Sequence, residues 1–299
     1  MDRLLRGELD AIARDRCSGA AELALRTVIA LQAWQRRHLH PAEAELLAIA
    51  RALLHAQAAM APFWRLANEL ALAADSKSPG NTLVRTLGAF RKTMQMAPGR
   101  IATRFQAALK RERGRIIETH SYSSTVVHAL RKARSEVGCV YCSESRPGFE
   151  GRRTARELAR AGILTHFVID AGLASYMDCA VALVVGADAV HESSFVSKIG
   201  TVAMVSCALE QHKRVWVLAD TSKFLPPEIA QPLTASFGPK QQVWADPPKR
   251  VIVLNPYFEC VPLREEIQIL TERGWLSPAR VEREVRRIRI SPRLKAVAD

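Results

Sequence analysis

From Arg115 onward the chain alternates short apolar runs with amphipathic stretches, and this alternation restricts the available folds more than any other feature. The runs are Ile116–Thr119, Cys139–Cys142, Leu164–Asp170, Val181–Val185, Val215–Ala219 and Val251–Leu254. Helical spacing lies between them near Thr125–Ser135, Arg152–Ala161, Leu173–Cys179 and Ile199–His212. Crossovers of this length imply parallel strands, so the pattern predicts a Rossmann-like, doubly wound parallel sheet. No G-x-G-x-x-G follows the first run, and a dinucleotide is therefore not indicated. Between Phe224 and Arg250, Pro226, Pro227, Pro232, Pro239, Pro247 and Pro248 predict a long irregular excursion.

The first part of the chain reads differently. Ala21, Ala24, Leu25, Val28 and Leu31 form one helical stripe, and Leu46, Leu47, Ile49, Ala50, Leu53 and Leu54 form another after Pro41. Pro62 opens a third segment, Asp75–Asn81 reads as a loop, and Leu83, Val84, Leu87 and Phe90 mark a fourth. Pro98–Gly99 predicts a break before a last helix carrying Ile101, Phe105, Ala108 and Leu109. The expected division is a helical N-terminal domain over 1–113 and an α/β domain over 114–299.

Composition narrows the function classes. The N-terminal residues MDRLLRGELD carry charges throughout and lack the apolar core of a secretory signal, and no apolar run reaches the ~20 residues that span a bilayer. A cytoplasmic protein without a membrane partner is expected. The cysteines Cys17, Cys139, Cys142, Cys179, Cys207 and Cys260 are too scattered for a disulfide framework. Cys139 and Cys142 lie three apart in a strand, on opposite faces, so they do not share a metal. Neither a metal nor a cofactor is expected. A formal charge of +13 favours anionic partners. Seven of the basic residues fall within 279–297, but no aromatic residue interleaves them as a base-stacking surface requires, so nucleic-acid contact is weakly supported. A solvated or subunit-facing terminal helix is the expectation there.

Polar clusters follow the predicted strands directly: THSYSST at 119–125, SESRP at 143–147 and ADTSKF at 219–224. A fourth lies in VVGADAVHESSFVSKIGT at 184–201, where Asp188 follows a strand and Lys198 precedes a helix start. Ligands of open α/β sheets bind beyond the carboxyl ends of the strands. Ser123 and Ser124 at a helix start, the Arg146 guanidinium, and the Lys198 and Lys223 ammonium groups are the donors a phosphate site uses. Asp188 beside them suggests proton transfer. Each also has an ordinary reading: Ser123 as a helix cap, Arg146 as a salt-bridge partner, Asp188 as a turn residue, and the two lysines as solvated.

With THSYSSTVVHAL, SESRPGFEGRRTARELARAGI, VVGADAVHESSFVSKIGT, TSKF and LNPYFECVPLREEIQILTERG in view, residues 118–274 resemble one superfamily. It joins the alpha, beta and delta regulatory subunits of translation initiation factor 2B with the ribose-1,5-bisphosphate and methylthioribose-1-phosphate isomerases. Ser18–Gly19–Ala20 echoes the isomerases' Arg-Gly-Ala phosphate motif. The resemblance implies a catalytic cysteine after Thr119–His120, where this chain has Ser121, and an aspartate that stands here as Asp188. The family's Asn-Lys reads Ser197–Lys198. A serine hydroxyl ionises far above the ~8.5 of a thiol, so Ser121 does not simply replace a cysteine. Two readings stay open. One is a non-catalytic regulatory-subunit-like protein that binds a sugar phosphate or nucleotide through Ser123, Ser124, Arg146, Asp188, Lys198 and Lys223. The other is an aldose–ketose isomerase acting on a phosphorylated pentose, with Asp188 moving a proton. The resemblance also implies a homodimer, or pairing with related subunits, and Tyr257, Phe258, Val261 and Leu263 are the candidate contacts.

Overall fold

The computed structural model describes residues 1–15, 19–57, 60–112, 115–226, 229 and 237–294. Ser18, Cys17, Pro227, Pro232 and Lys295, singled out above, lie outside the described residues. The helical region runs α1 (Arg3–Arg14), α2 (Ala20–Arg37), α3 (Glu43–Ala56), α4 (Ala61–Ala74) and α5 (Pro79–Leu109). Asp2 caps α1 by accepting from the Leu5 amide at 2.8 Å, and Leu5, Leu9 and Ile12 form its buried face. These side chains pack with Val28, Leu31 and Trp34 of α2 and with Leu46, Ile49, Leu53, Phe63 and Leu66 of α3 and α4.

The predicted break at Pro98–Gly99 does not occur: α5 continues for 31 residues with Pro98 inside it. The reason is packing. Met94, Ala97, Ile101, Phe105 and Leu109 stay in helical phase across the proline and are all buried. That continuous apolar face outweighs the ~3 kcal/mol that an internal proline costs a helix. The helix also starts at Pro79, inside the predicted 75–81 loop.

The central sheet contains β1 (Ile116–Thr119), β2 (Cys139–Ser143), β3 (Leu164–Val168), β4 (Ala182–Gly186), β7 (Arg214–Leu218), β9 (Ile267–Thr271) and β10 (Gly274–Leu276). Its order is β10-β9-β7-β4-β1-β2-β3, parallel throughout except for β10, which pairs antiparallel with β9. Five of the predicted strands are therefore present, but Val251–Leu254 is not one. Ile252 is 85% and Leu254 69% exposed, and β9 takes the place beside β7 with Val215 opposite Ile267. Following the proline-rich excursion, this run has no strand beside it among the described residues to complete its hydrogen bonds. In β9 the alternation of Ile267 and Ile269 buries one face of the strand although Gln268 interrupts the apolar run.

Helices cover both sides of the sheet. On one side lie the second half of α5, α6 (Ser124–Lys132) and α7 (Gly151–Arg160), where Phe105 meets Trp216 edge-on with ring centroids 5.8 Å apart. On the other lie the short α8 (Asp170–Leu173), α9 (Thr201–Glu210) and α10 (Pro278–Arg286). A second, antiparallel sheet of β5 (Ala189–Val190), β6 (Ser194–Lys198) and β8 (Phe258–Pro262) stands where a simple polar loop after Gly186 was expected. Its Ala189 and Val196 pack into the core of the N-terminal helices. Of the proposed dimer contacts, Val261 is 1% exposed and Phe258 packs partly on that helical core, while Tyr257 and Leu263 are half-buried.

The arginines of the basic C-terminal segment are mostly exposed, and several of them are also tied into ion pairs. Arg286 pairs with Glu282 at 2.6 Å and Glu192 at 3.3 Å, and Arg293 pairs with Asp75 at 2.7 Å and also with Glu43. No helix among the described residues is long and apolar enough to cross a membrane.

Candidate functional site

The chain leaves β1 toward β2 and β3 on one side and reaches β4, β7 and β9 on the other, so the order of strands reverses between β1 and β4. At such a point the two departing loops diverge and leave a crevice. The loops here are His120–Ser124 and Gly186–Asp188. They line a cavity together with Gly19–Ala21, Ser197, Lys198 and Lys223. Its volume is about 60 Å³, below the ~300–1,000 Å³ usual for small-molecule sites.

Two helix starts face this cavity. Ser123 caps α6, its hydroxyl accepting from the Val126 amide at 3.4 Å, and Ser124 begins the helix. Gly19 precedes α2 with no side-chain cap among the described residues, so the first amides of an 18-residue helix face the cavity as donors. Both ends carry the partial positive charge that favours anions. Gly186 permits the close approach of the α6 end: a Cβ there would meet Ser123 Oγ at 2.5 Å.

The two lysines are buried, not solvated. Lys198, 4% exposed, ends β6 and donates to Glu150 Oε1 at 2.8 Å, with Nζ 5.2 Å from the centroid of the Tyr257 ring. Lys223 lies in a single turn after β7 and donates to the Ala187 carbonyl at 2.5 Å. Asp188 sits between these groups, its amide donating to the Val196 carbonyl at 2.8 Å. Burial raises its pKa, and the Lys223 and Lys198 ammoniums pull the other way. A carboxyl displaced upward by burial holds a proton more readily than a solvated aspartate does.

His120, one residue past β1, was part of a quoted cluster but was not singled out. Its Nε2 lies 2.8 Å from the Ile199 carbonyl, which only accepts, so Nε2 carries the proton. Burial lowers its pKa and keeps the ring neutral, leaving Nδ1 to accept from the Ser143 hydroxyl at 2.6 Å. Gly200, at φ +99°, gives the turn below the ring its shape, and a Cβ there would come within 3.3 Å of Nε2. Ser121 is held in the left-handed region at φ 67°. Its amide donates to Ser145 Oγ and its carbonyl accepts from Thr154 Oγ1, both at 2.8 Å.

Arg146 is placed differently from the other candidates. It is not among the residues lining the cavity; its guanidinium donates to the Gln242 carbonyl at 3.1 Å and lies over Phe149. Its backbone amide, with that of Ser145, instead donates to the two Asp170 oxygens at 2.7 Å, which pins the loop after β2. Ser123, Ser124, Asp188, Lys198 and Lys223 meet in the cavity. Glu150, which holds Lys198, was not among the candidates, because only the fold brings it within reach; the Gly19–Ala21 helix start carries the Gly-Ala of the echoed phosphate motif and lines the cavity.

The family model of the Initiation factor 2 subunit family matches residues 7–278. Ribose 1,5-bisphosphate isomerase of Pyrococcus furiosus is 32% identical over 181 residues, covering 56% of this chain and 54% of that protein. The chain thus spans about half the length of this curated relative. Among solved structures, the Pyrococcus horikoshii OT3 translation initiation factor eIF-2B aligns with a TM-score of 0.74 at 24% identity, covering 94% of this chain and 99% of that one. The 5-methylthioribose 1-phosphate isomerase of the same organism aligns with a TM-score of 0.67 at 19% identity, over 98% of this chain and 88% of the other. These two similarities show the shared fold. The family match covers most of the residues from α1 to the start of α10, and on that ground this chain belongs to the Initiation factor 2 subunit family.

Proposed function

We propose that this protein binds a phosphorylated sugar at the cavity between β1 and β4 and does not turn it over. The convergence of two helix starts with Lys198 and Lys223 supports the anion, since all four bring donors to one cavity, with Lys198 held by Glu150 until a ligand enters. The engagement of His120 supports the absence of turnover. Both ring nitrogens are committed, to Ser143 and to Ile199, so the imidazole beside Ser121 is not free to take its proton. A hydroxyl without a base is a poor nucleophile and a poor acid at neutral pH. The small cavity implies that Lys198 leaves Glu150 when a ligand larger than a phosphate group enters.

A second reading, an aldose–ketose isomerase on a phosphorylated pentose, draws support from Asp188, whose raised pKa suits it to shuttle a proton between adjacent carbons. One set of measurements separates the two. Ribose-1,5-bisphosphate at a hundredfold excess over its dissociation constant should stabilise the protein by ~2.7 kcal/mol, and plain ribose should not. Lys198→Ala should remove the difference. Wild type should show no isomerisation by NMR. If it is active, and Asp188→Asn lowers the rate by ~10²–10⁴-fold, the isomerase reading replaces the binding one. Equal stabilisation by ribose and its bisphosphate would exclude both.

A further inference from the structure

Away from this crevice, a second cavity of about 370 Å³ opens between α4, α5, the turn at Thr221–Ser222 and the β9–β10 connection. Three guanidinium groups line it, those of Arg65, Arg85 and Arg273, against the single carboxylate of Glu69. It shares no lining residue with the first cavity, although the turn between Thr221 and Lys223 contributes to both.

The arginines are unevenly occupied. Arg273, with a side chain 63% exposed, divides its contacts between Glu284 at 3.0 Å and Glu272 at 3.7 Å. Arg85 is exposed and has no ion pair among the described residues. Arg65 is the unusual one. Its Nη2 lies 3.8 Å from Glu69 Oε1, beyond hydrogen-bond distance, while Nε and Nη1 are buried with no hydrogen-bond partner among the described residues. Burial raises the Glu69 pKa, which weakens it further as a counter-ion. Leaving buried charged donors unmatched costs more than a neutral hydrogen bond returns, so this guanidinium is poised for a stronger acceptor. Thr86 and Thr93, two turns apart on α5, add hydroxyls on the same wall, and Phe90 between them closes it with an apolar surface.

A guanidinium fork with free Nε and Nη positions matches two oxygens of a tetrahedral anion, and a cavity of this size takes a small molecule. We propose that this cavity is a second anion site, which binds the phosphate of a small phosphorylated metabolite through Arg65 and Arg85 with Thr86 and Thr93 beside them.

Equilibrium dialysis of the full chain against radiolabelled inorganic phosphate at low ionic strength tests this. Arg65→Gln should remove one class of binding or weaken it by at least about tenfold, the loss of a charge-assisted hydrogen bond. Arg85→Gln, a surface change that leaves the melting temperature unaltered, should weaken the same class about threefold or more. Arg36→Gln, at an exposed arginine on α2 that does not line the cavity, controls for the general field of a +13 chain. An unchanged isotherm in either folded variant overturns the proposal, and so does an equal effect of Arg36→Gln. If Arg65→Gln fails to fold, Arg85→Gln against Arg36→Gln decides alone.

Discussion

Glu118 and His120, two residues apart at the end of one strand, show how burial alone assigns charge. His120 keeps a donor and an acceptor, and burial makes it neutral. Glu118 is fully buried, neither carboxyl oxygen has a hydrogen-bond partner among the described residues, and its pKa is pushed up to about 8, chiefly by desolvation and then by Asp178. A pKa raised above the unfolded value of 4.5 gives stability that is complete below pH 4.5 and is lost as pH rises through about 8. Glu118→Gln supplies the neutral form at every pH. It should therefore raise the melting temperature by ~2–4 °C per kcal/mol recovered at pH 8, with the gain disappearing near pH 4.5. A gain that is the same at both pH values would refute protonation as the cause. None of this was legible in the sequence, where IIET reads only as a strand end. Asp188, Lys198 and Lys223 were legible because they follow strands, whereas Arg146 has the right position in the chain and a side chain committed elsewhere.

At the scale of elements, α5 couples the helical region to the sheet. Its first half packs Leu83, Leu87 and Met94 among the N-terminal helices, and its second half packs Ile101, Phe105 and Leu109 on the sheet. Pro98 lies between the two halves and lacks an amide to donate back along the helix. Pro98→Ala restores that hydrogen bond and should stabilise the protein by ~1–3 kcal/mol in urea unfolding. Destabilisation would mean instead that packing on the sheet requires a bend at this residue. A proline signals a break because local propensity is all that a sequence displays. The apolar phase that carries the helix through it needs both partners, the other helices and the sheet, to be counted.

At the scale of the whole molecule, the end of the chain returns to its beginning. Asn68 of α4, fully buried, donates to the Arg289 carbonyl at 2.9 Å and accepts from the Ser291 amide at 2.9 Å, and Leu294 is buried in the helical core. Asn68→Ala breaks both bonds and leaves the buried Ser291 amide and the half-buried Arg289 carbonyl unpaired, so it should cost ~1–3 kcal/mol. It should also open residues 287–294 to limited proteolysis while the spectroscopic helix content of α1–α5 persists. Equal proteolysis of variant and wild type would refute the clasp.

The alternation of strand and helix, the helical first third and the clustering of polar residues after strands were all readable from the sequence, because periodicity and turn chemistry act over a few residues. Three features depended on tertiary contact. Ile267–Thr271 became a strand and Val251–Leu254 did not, because a strand exists only where a neighbour completes its hydrogen bonds. The basic tail became a clasp because Glu43, Asp75 and Glu192 lie within reach only in the folded chain. The start of α2, marked in the sequence only by an echo of a phosphate motif, joined the cavity across a separation of about one hundred residues because the helices pack against the sheet.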